Sequence, residues 1–208
     1  DGSHHGDPNY APRVTLTDVR DNNTYTVTKL ADGKCWMTQN LRIAGKILTP
    51  ADSDVTSNYT IPTSSISGFS FNDTSNAYVD NTYGGYYSWY AATAGTGTTS
   101  LSTKGHNTTA SICPKGWRLP TGGSSGEFQT LYNNYNSSSA IRSSPVNLTL
   151  SGHVLSSSRD YQGSRGSYWS STVYSSYSAY DLGLYTSNAS PAGDSSKFYG
   201  FSVRCVAR

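Results

Sequence analysis

Charge is scarce in this chain. Only 13% of its 208 residues are Asp, Glu, Lys or Arg, and 15 basic against 13 acidic side chains leave a formal charge of +2. That balance gives no electrostatic footprint for nucleic acid or an anionic membrane, whose recognition depends on concentrated Lys and Arg. Long apolar runs are missing as well. No stretch approaches the roughly 18 to 20 residues that cross a bilayer as a helix, and no export signal opens the chain. An exported protein of this sequence is therefore expected to be a mature fragment, attached to a membrane only through a segment outside it. Metal motifs are absent too: His106 and His153 stand far apart, and no Cys-x-x-Cys or His-x-x-x-His occurs. Both histidines are expected to be solvated or hydrogen-bonded. The opening Asp1-Gly-Ser-His-His-Gly6 reads as partly artificial, so its histidines carry no weight as ligands.

What is abundant is Ser, Thr, Asn, Gly and Tyr. Hydroxyl and amide side chains compete locally with a helical backbone, so this mixture favours strands, turns and irregular connections. Disorder is countered by 17 Tyr, 5 Phe and 4 Trp, enough anchors for an apolar core. We expect a tail over residues 1–14 and one domain over 15–208. Thr15 to Leu30 followed by Lys34 to Leu41 reads as a hairpin, with Tyr25 and Val27 alternating against Thr26 and Thr28 and a turn at Ala31-Asp32-Gly33-Lys34. Ile43 to Tyr83 has no sustained period and reads as a long ordered loop. Tyr86 to Ala94 is an expected short helix from the spacing of Tyr86, Trp89, Tyr90 and Thr93, ended by Gly95 and Gly97. A second helix is expected from Ser125 to Tyr135, capped by Ser124 or Ser125, with Glu127 near its positive end and Phe128, Leu131, Tyr132 and Tyr135 on one face. Short strands are expected at Val146–Leu150, Gly152–Leu155, Tyr168–Val173, Ala179–Tyr185 and Phe201–Val206. The layout is α+β, with two short helices, small antiparallel sheets and long loops.

Three motifs occur in order: Asp32-Gly-Lys-Cys-Trp-Met-Thr-Gln-Asn-Leu41, Cys113-Pro-Lys-Gly-Trp-Arg-Leu-Pro-Thr121, and Tyr168-Trp-Ser-Ser-Thr172 leading to Gly200-Phe-Ser-Val-Arg-Cys-Val206. Together they resemble the Fibrobacter succinogenes major paralogous domain, a family of bacterial surface and secreted proteins, over about Asp18 to Arg208. The resemblance implies a C-type-lectin-like fold shared with formylglycine-generating enzymes, in which the two chain ends pair in one sheet. It also implies a disulfide between Cys113 and Cys205, closing a loop of about 90 residues worth at most roughly 4 to 5 kcal/mol. Cys35 is then left over, although a Cys35–Cys205 pairing on adjacent strands stays open. Some relatives are similar to the variable proteins of diversity-generating retroelements, in which adenines of a C-terminal coding stretch are randomised while the scaffold is kept.

That resemblance has a compositional consequence. Randomising adenines in Asn codons never yields Lys, Glu, Gln, Trp or Met, and from Val173 to Tyr199 the only such residue is Lys197, which is assigned to the scaffold. Tyr offers a large amphipathic contact area at low entropic cost, and Ser, Gly, Asn and Asp adapt their hydrogen bonds, as in antibody loops. The candidate displayed, ligand-binding set is Tyr174, Tyr177, Asp181, Gly183, Tyr185, Asn188, Ser190, Ala192, Gly193, Asp194, Ser195, Ser196, Phe198 and Tyr199. Trp169, Ala179, Leu182, Leu184 and Pro191 form the inward set. The expected function is a non-enzymatic, extracellular or cell-surface binding domain engaging an unknown protein or surface ligand.

Three competing features remain. A carbohydrate-binding adhesin would stack sugars on aromatic rings, and is favoured only if two of Trp36, Trp89, Trp117 and Trp169 are exposed on one face. An enzyme like the formylglycine-generating branch needs a reactive thiol pair, which a bridged Cys205 does not supply. No other cofactor is implied, but Asp52, Asp54, Asp73 and Asp80 are loop carboxylates of the kind a structural calcium takes.

Overall fold

A run in which Tyr25 and Val27 alternate with threonines buries one edge and wets the other, the condition for a half-buried strand. In the computed structural model, which describes residues 12–69, 75–155 and 157–208, this run is β2 (Thr24–Lys29), between β1 (Arg13–Thr17) and β3 (Cys35–Met37) in an antiparallel meander. The β2–β3 turn is the expected one. Gly33 takes φ +80°, and Asp32 accepts hydrogen bonds from the Lys34 amide (3.1 Å) and the Trp36 indole (2.8 Å). Pairing begins at Arg13, inside the expected tail.

Among the described residues, the stretch from Ile43 to Tyr83 is mostly irregular. It holds a ribbon of β4 (Ile47–Leu48) and β5 (Tyr59–Thr60), a single 3-10 turn at Ile66–Gly68, and β6 (Ala77–Asp80), which pairs with β7 (Gly84–Tyr87). The first helix, α1, is only Trp89–Ala92. Tyr86 and Tyr87 belong to β7, because Ser88 is extended and acts as the N-cap, its side chain accepting from the Ala91 amide. Helical spacing was mimicked there by a segment that is almost wholly buried.

After β8 (Trp117–Arg118) comes α2 (Glu127–Tyr135), whose Phe128 and Leu131 face the core and whose Asn136 ends it in the left-handed conformation at φ 55°. Its N-cap is Gly126, not Ser124 or Ser125. Thr121 takes over the capping: its hydroxyl accepts from the Glu127 amide (3.0 Å), and the Glu127 carboxylate accepts from the Thr121 amide (2.9 Å). Burial alone would raise the Glu127 carboxyl, but bonds from Arg118 and Thr121, with Lys34 at 3.2 Å, hold it down at about 2. A third helix, α3 (Ser138–Arg142), was not expected; Ser137 caps it through the Ala140 amide.

The second half contains β9 (His153–Leu155), β10 (Ser158–Asp160), β11 (Arg165–Val173), β12 (Ser178–Tyr185), β13 (Ala189–Ser196) and β14 (Val206–Ala207). Val146–Leu150 is not a strand. Its Val146 and Leu148 point inward, but the Val146 and Asn147 carbonyls bond the Arg204 guanidinium instead of a ladder partner. The expected Phe201–Val206 strand shrinks to β14, with single bridges from Phe201 to Tyr87 and from Ser202 to Tyr168, since this segment threads between sheets. The overall layout is α+β. One sheet runs β1-β2-β3-β14-β8, placing the last strand beside β3, and another runs β11-β12-β13.

Two cores flank that second sheet. Adjacent residues of β11 point to opposite faces: Trp169 joins Tyr25, Trp89 and Phe201, while Tyr168 joins Phe128, Leu131, Leu182 and Leu184 under α2. Cys113 and Cys205 are bridged, with Cα atoms 5.9 Å apart and a sequence separation of 92, and Cys35 is free and half-buried. The pairing is thus Cys113–Cys205 and not Cys35–Cys205. Replacing both bridged cysteines by alanine is expected to lower the unfolding free energy in urea titrations by roughly 3 to 5 kcal/mol. Cys35→Ala is expected to change it far less, and equal effects would contradict the assignment.

Candidate functional site

The segment 173–199 is a hairpin that starts in a turn after β11 and returns along the edge strand β13. β12 lies between two neighbours, whereas β13 has one. That difference decides which side chains are displayed. On β12, Ala179, Leu182 and Leu184 are buried, as are Trp169 on β11 and Pro191 on β13. Lys197 is buried as well, its ammonium donating to the Thr98 and Leu101 carbonyls (2.9 Å each) and lying 4.7 Å from the Trp89 ring centre. Most of the candidate displayed residues reach solvent. Tyr177, Asn188, Ser190 and Asp194 are exposed, Tyr177 at 74%, and Tyr174, Tyr185, Ala192, Gly193, Ser195, Ser196, Phe198 and Tyr199 are half-buried.

Two candidates are not displayed. Asp181 and Gly183 are buried, because both sit on the central strand where the register with β13 shifts between them, bringing neighbouring side chains over the gap. The Tyr185 ring lies over Gly183, where an added Cβ would stand 3.5 Å from it. Asp181 faces Gly193 across the ladder, and its Oδ1 has no hydrogen-bond partner among the described residues. Burial pushes its carboxyl up to about 7, against the opposing pull of the Ser195 hydroxyl and the Arg165 guanidinium. Tyr180 was missed by sequence reasoning. Its alternation with buried Ala179 was the available signal, and it is half-buried beside Gly123, edge-on to Tyr174 at 5.2 Å.

The displayed groups form more than one cluster. Tyr174, Tyr177 and Tyr180 crowd the turn end, with the Lys104 ammonium 4.3 Å from the Tyr174 ring centre. Tyr185 and Asn188 occupy the opposite end, where the Arg165 guanidinium lies 5.2 Å from the Tyr185 ring centre. Phe198 and Tyr199 follow β13, edge-on to each other at 4.7 Å, with Tyr199 also stacked on His153. The 8 residues of β12 separate the two ends by roughly 25 Å, at about 3.3 Å per residue. Such a spread suits a macromolecular partner better than a single small molecule.

Other candidates fare less well. Trp36, Trp89 and Trp169 are buried and only Trp117 is half-exposed, so no pair of indoles forms a sugar platform. His153 is buried rather than solvated, and its Nδ1 has no hydrogen-bond partner among the described residues; burial lowers its pKa. Among the described residues no three His, Cys, Asp or Glu side chains converge as metal ligands. Asp52 accepts from the Thr49 amide and Ser53 hydroxyl, Asp54 from Ser111 and Arg208, and Asp80 from the Thr82 and Tyr83 amides and Arg159. Asp73 lies outside the described residues.

Comparison with known families finds that the model for the Fibrobacter succinogenes major domain matches residues 31–158, which hold the first two sequence motifs but stop before β11. No curated protein and no solved structure matches the chain.

The sign of the Asp181 effect is testable. An unfolded Asp loses its proton near pH 3.9, whereas the folded one keeps it to about 7. Raising the pH from about 4 to about 7 therefore removes stability, and the penalty is complete above that range. Asp181→Asn is expected to raise the thermal midpoint at pH 8, by the equivalent of roughly 1 to 3 kcal/mol, and to leave it unchanged at pH 4. An equal change at both pH values would show that Asp181 titrates normally.

Proposed function

We propose, for a chain that belongs to the Fibrobacter succinogenes major domain family, that it is a non-enzymatic binding domain displaying residues 173–199 to a protein or other macromolecular surface ligand. In this reading the scaffold is C-type-lectin-like, the domain works outside the cell, and the displayed side chains originate from a diversity-generating retroelement. The disulfide suits an oxidising compartment.

One observation carries the proposal. In the β12–β13 hairpin the apolar anchors are few and buried, while Tyr, Ser, Asn and Asp project between them. Tyr199 packs against the core, whereas the exposed Tyr177, Asn188, Ser190 and Asp194 lie outside the core clusters and can change with little effect on the fold. Rigid tyrosines spread over an open surface, among small polar residues, are the composition by which antibody loops hold protein surfaces. Clefts elsewhere on the molecule are lined by residues outside this segment, which supports contact across a broad face over capture in a pocket.

Two measurements test this. In the source genome, a repeat matching the codons for Val173 to Tyr199, with adenines at the projecting positions and a reverse-transcriptase gene nearby, is the expected finding. Adenine-directed variation falling on Trp169 or Gly200 instead would contradict it. In denaturation experiments, Tyr177→Ala, Ser190→Ala and Asp194→Ala are each expected to alter stability by no more than about 0.5 kcal/mol. Leu182→Ala should cost about 2 to 5 kcal/mol. Large losses at the first three positions would make the surface part of the scaffold and end the display reading.

A further inference from the structure

The arginines of this chain are sorted by partner. Of its 9 arginines, Arg20, Arg118, Arg159 and Arg208 are ion-paired with Asp18, Glu127, Asp80 and Asp54. Arg165 lies over the Tyr185 ring. The other four, Arg13, Arg42, Arg142 and Arg204, line two clefts of about 360 and 480 Å³ that meet at Tyr83 and Thr149. Among the described residues no Asp or Glu lines either cleft.

Each of these four guanidiniums is held by neutral oxygens. Arg13 donates to the Ser144 hydroxyl, Arg42 to the Asn23 side chain (3.2 Å) and the Thr24 carbonyl (3.3 Å), and Arg142 to the Thr186 carbonyl (3.0 Å). Arg204 is buried beneath them, bonded to the Asn40 side chain and to backbone carbonyls. Of the acidic groups nearby, Asp80 is ion-paired with Arg159 and also accepts from the Thr82 and Tyr83 amides, while Asp21 accepts from Asn23 and lies outside the lining of both clefts. Gathering four cations in one concave place, without a carboxylate, concentrates positive potential that a bound anion relieves.

The remaining wall chemistry narrows the ligand. The other lining groups are mostly amides and hydroxyls such as Gln39 and Asn81, which suit a polyhydroxylated molecule, and half-buried Tyr83 offers a ring where the clefts meet. Lysine is absent from the lining, and a single tyrosine is a poor ladder for successive bases. We infer that the joined clefts bind a short acidic saccharide, its carboxylate or sulfate groups held by Arg13, Arg42 and Arg142 over the buried Arg204. No lining residue lies within 173–199, but Arg142 donates to the Thr186 carbonyl, so this site adjoins the Tyr185 end of the proposed display surface without sharing its side chains.

Calorimetric titration of the folded, disulfide-bonded chain tests it with four probes: tetragalacturonate, a sulfated tetrasaccharide, methyl-esterified tetragalacturonate and a single-stranded oligonucleotide. Tetragalacturonate or the sulfated sugar is expected to bind, and which of them binds tighter identifies the anionic group. The neutral ester should bind at least roughly tenfold more weakly, and Arg42→Gln and Arg142→Gln should each weaken binding roughly tenfold. Arg208→Gln, at an arginine paired with Asp54 outside both clefts, should leave affinity within about twofold. Thermal midpoints within a few degrees of the parent confirm that the variants fold. Failure of both acidic sugars to bind, equal affinity for the ester, indifference to Arg42→Gln and Arg142→Gln, or tighter binding of the oligonucleotide would each overturn the assignment.

Discussion

A single buried guanidinium ties the separate parts of this fold together. Arg204 donates to the Asn40 side-chain oxygen (2.6 Å) and to the carbonyls of Asn147 (2.6 Å), Val146 (3.3 Å) and Met37 (3.4 Å), and its cationic carbon lies 5.7 Å from the Tyr168 ring centre. The Asn40 amide nitrogen in turn reaches the Tyr83 carbonyl, the Ser202 hydroxyl and the Thr149 hydroxyl. Burying a charge costs several kcal/mol unless its donors are met, and here they are met by several segments at once. Removing the side chain would leave these oxygens unsatisfied inside the protein, which is why the last strand, the β6–β7 turn and the loop before β9 are positioned as a unit.

The sheet β11-β12-β13 inherits its rigidity from that unit. Trp89 and Trp169 lock to it by complementary bonds, the Trp89 indole donating to the Ser170 carbonyl and the Trp169 indole to the Tyr87 carbonyl, both at 2.7 Å. With a core on each face, the sheet has little freedom to adjust to what its projecting side chains do. Under the proposed binding role, a fixed platform beneath the projecting groups gains affinity through pre-organisation, since few rotamers beyond those of the contacting residues are lost on binding.

Legibility in the sequence followed the strength of local chemistry. The β2–β3 hairpin was readable because Asp32 and Gly33 demand a turn there and Tyr25 and Val27 alternate. The body of α2 was readable from the spacing of Phe128, Leu131 and Tyr135, but not its cap, since Thr121 reaches in across a loop. Tyr86 misled because a wholly buried strand carries no period of its own. The burial of Leu182, Leu184 and Trp169 could be read from an apolar residue among polar ones, whereas Asp181 could not, as its environment is made by a register shift and by Gly193 opposite. The arginine cluster was hidden for a different reason. A net charge of +2 averages over the chain, and only folding separates the ion-paired arginines from those that, among the described residues, meet neutral oxygens.

Pro191 has a consequence for behaviour at high density. It lies in β13, the edge strand of its sheet, and it lacks the amide hydrogen that ladder pairing with a further strand would use. The margin is therefore interrupted midway and is a poor template for edge-to-edge growth between neighbouring copies. Because it lies in the backbone, this guard against aggregation does not depend on which side chains project beside it.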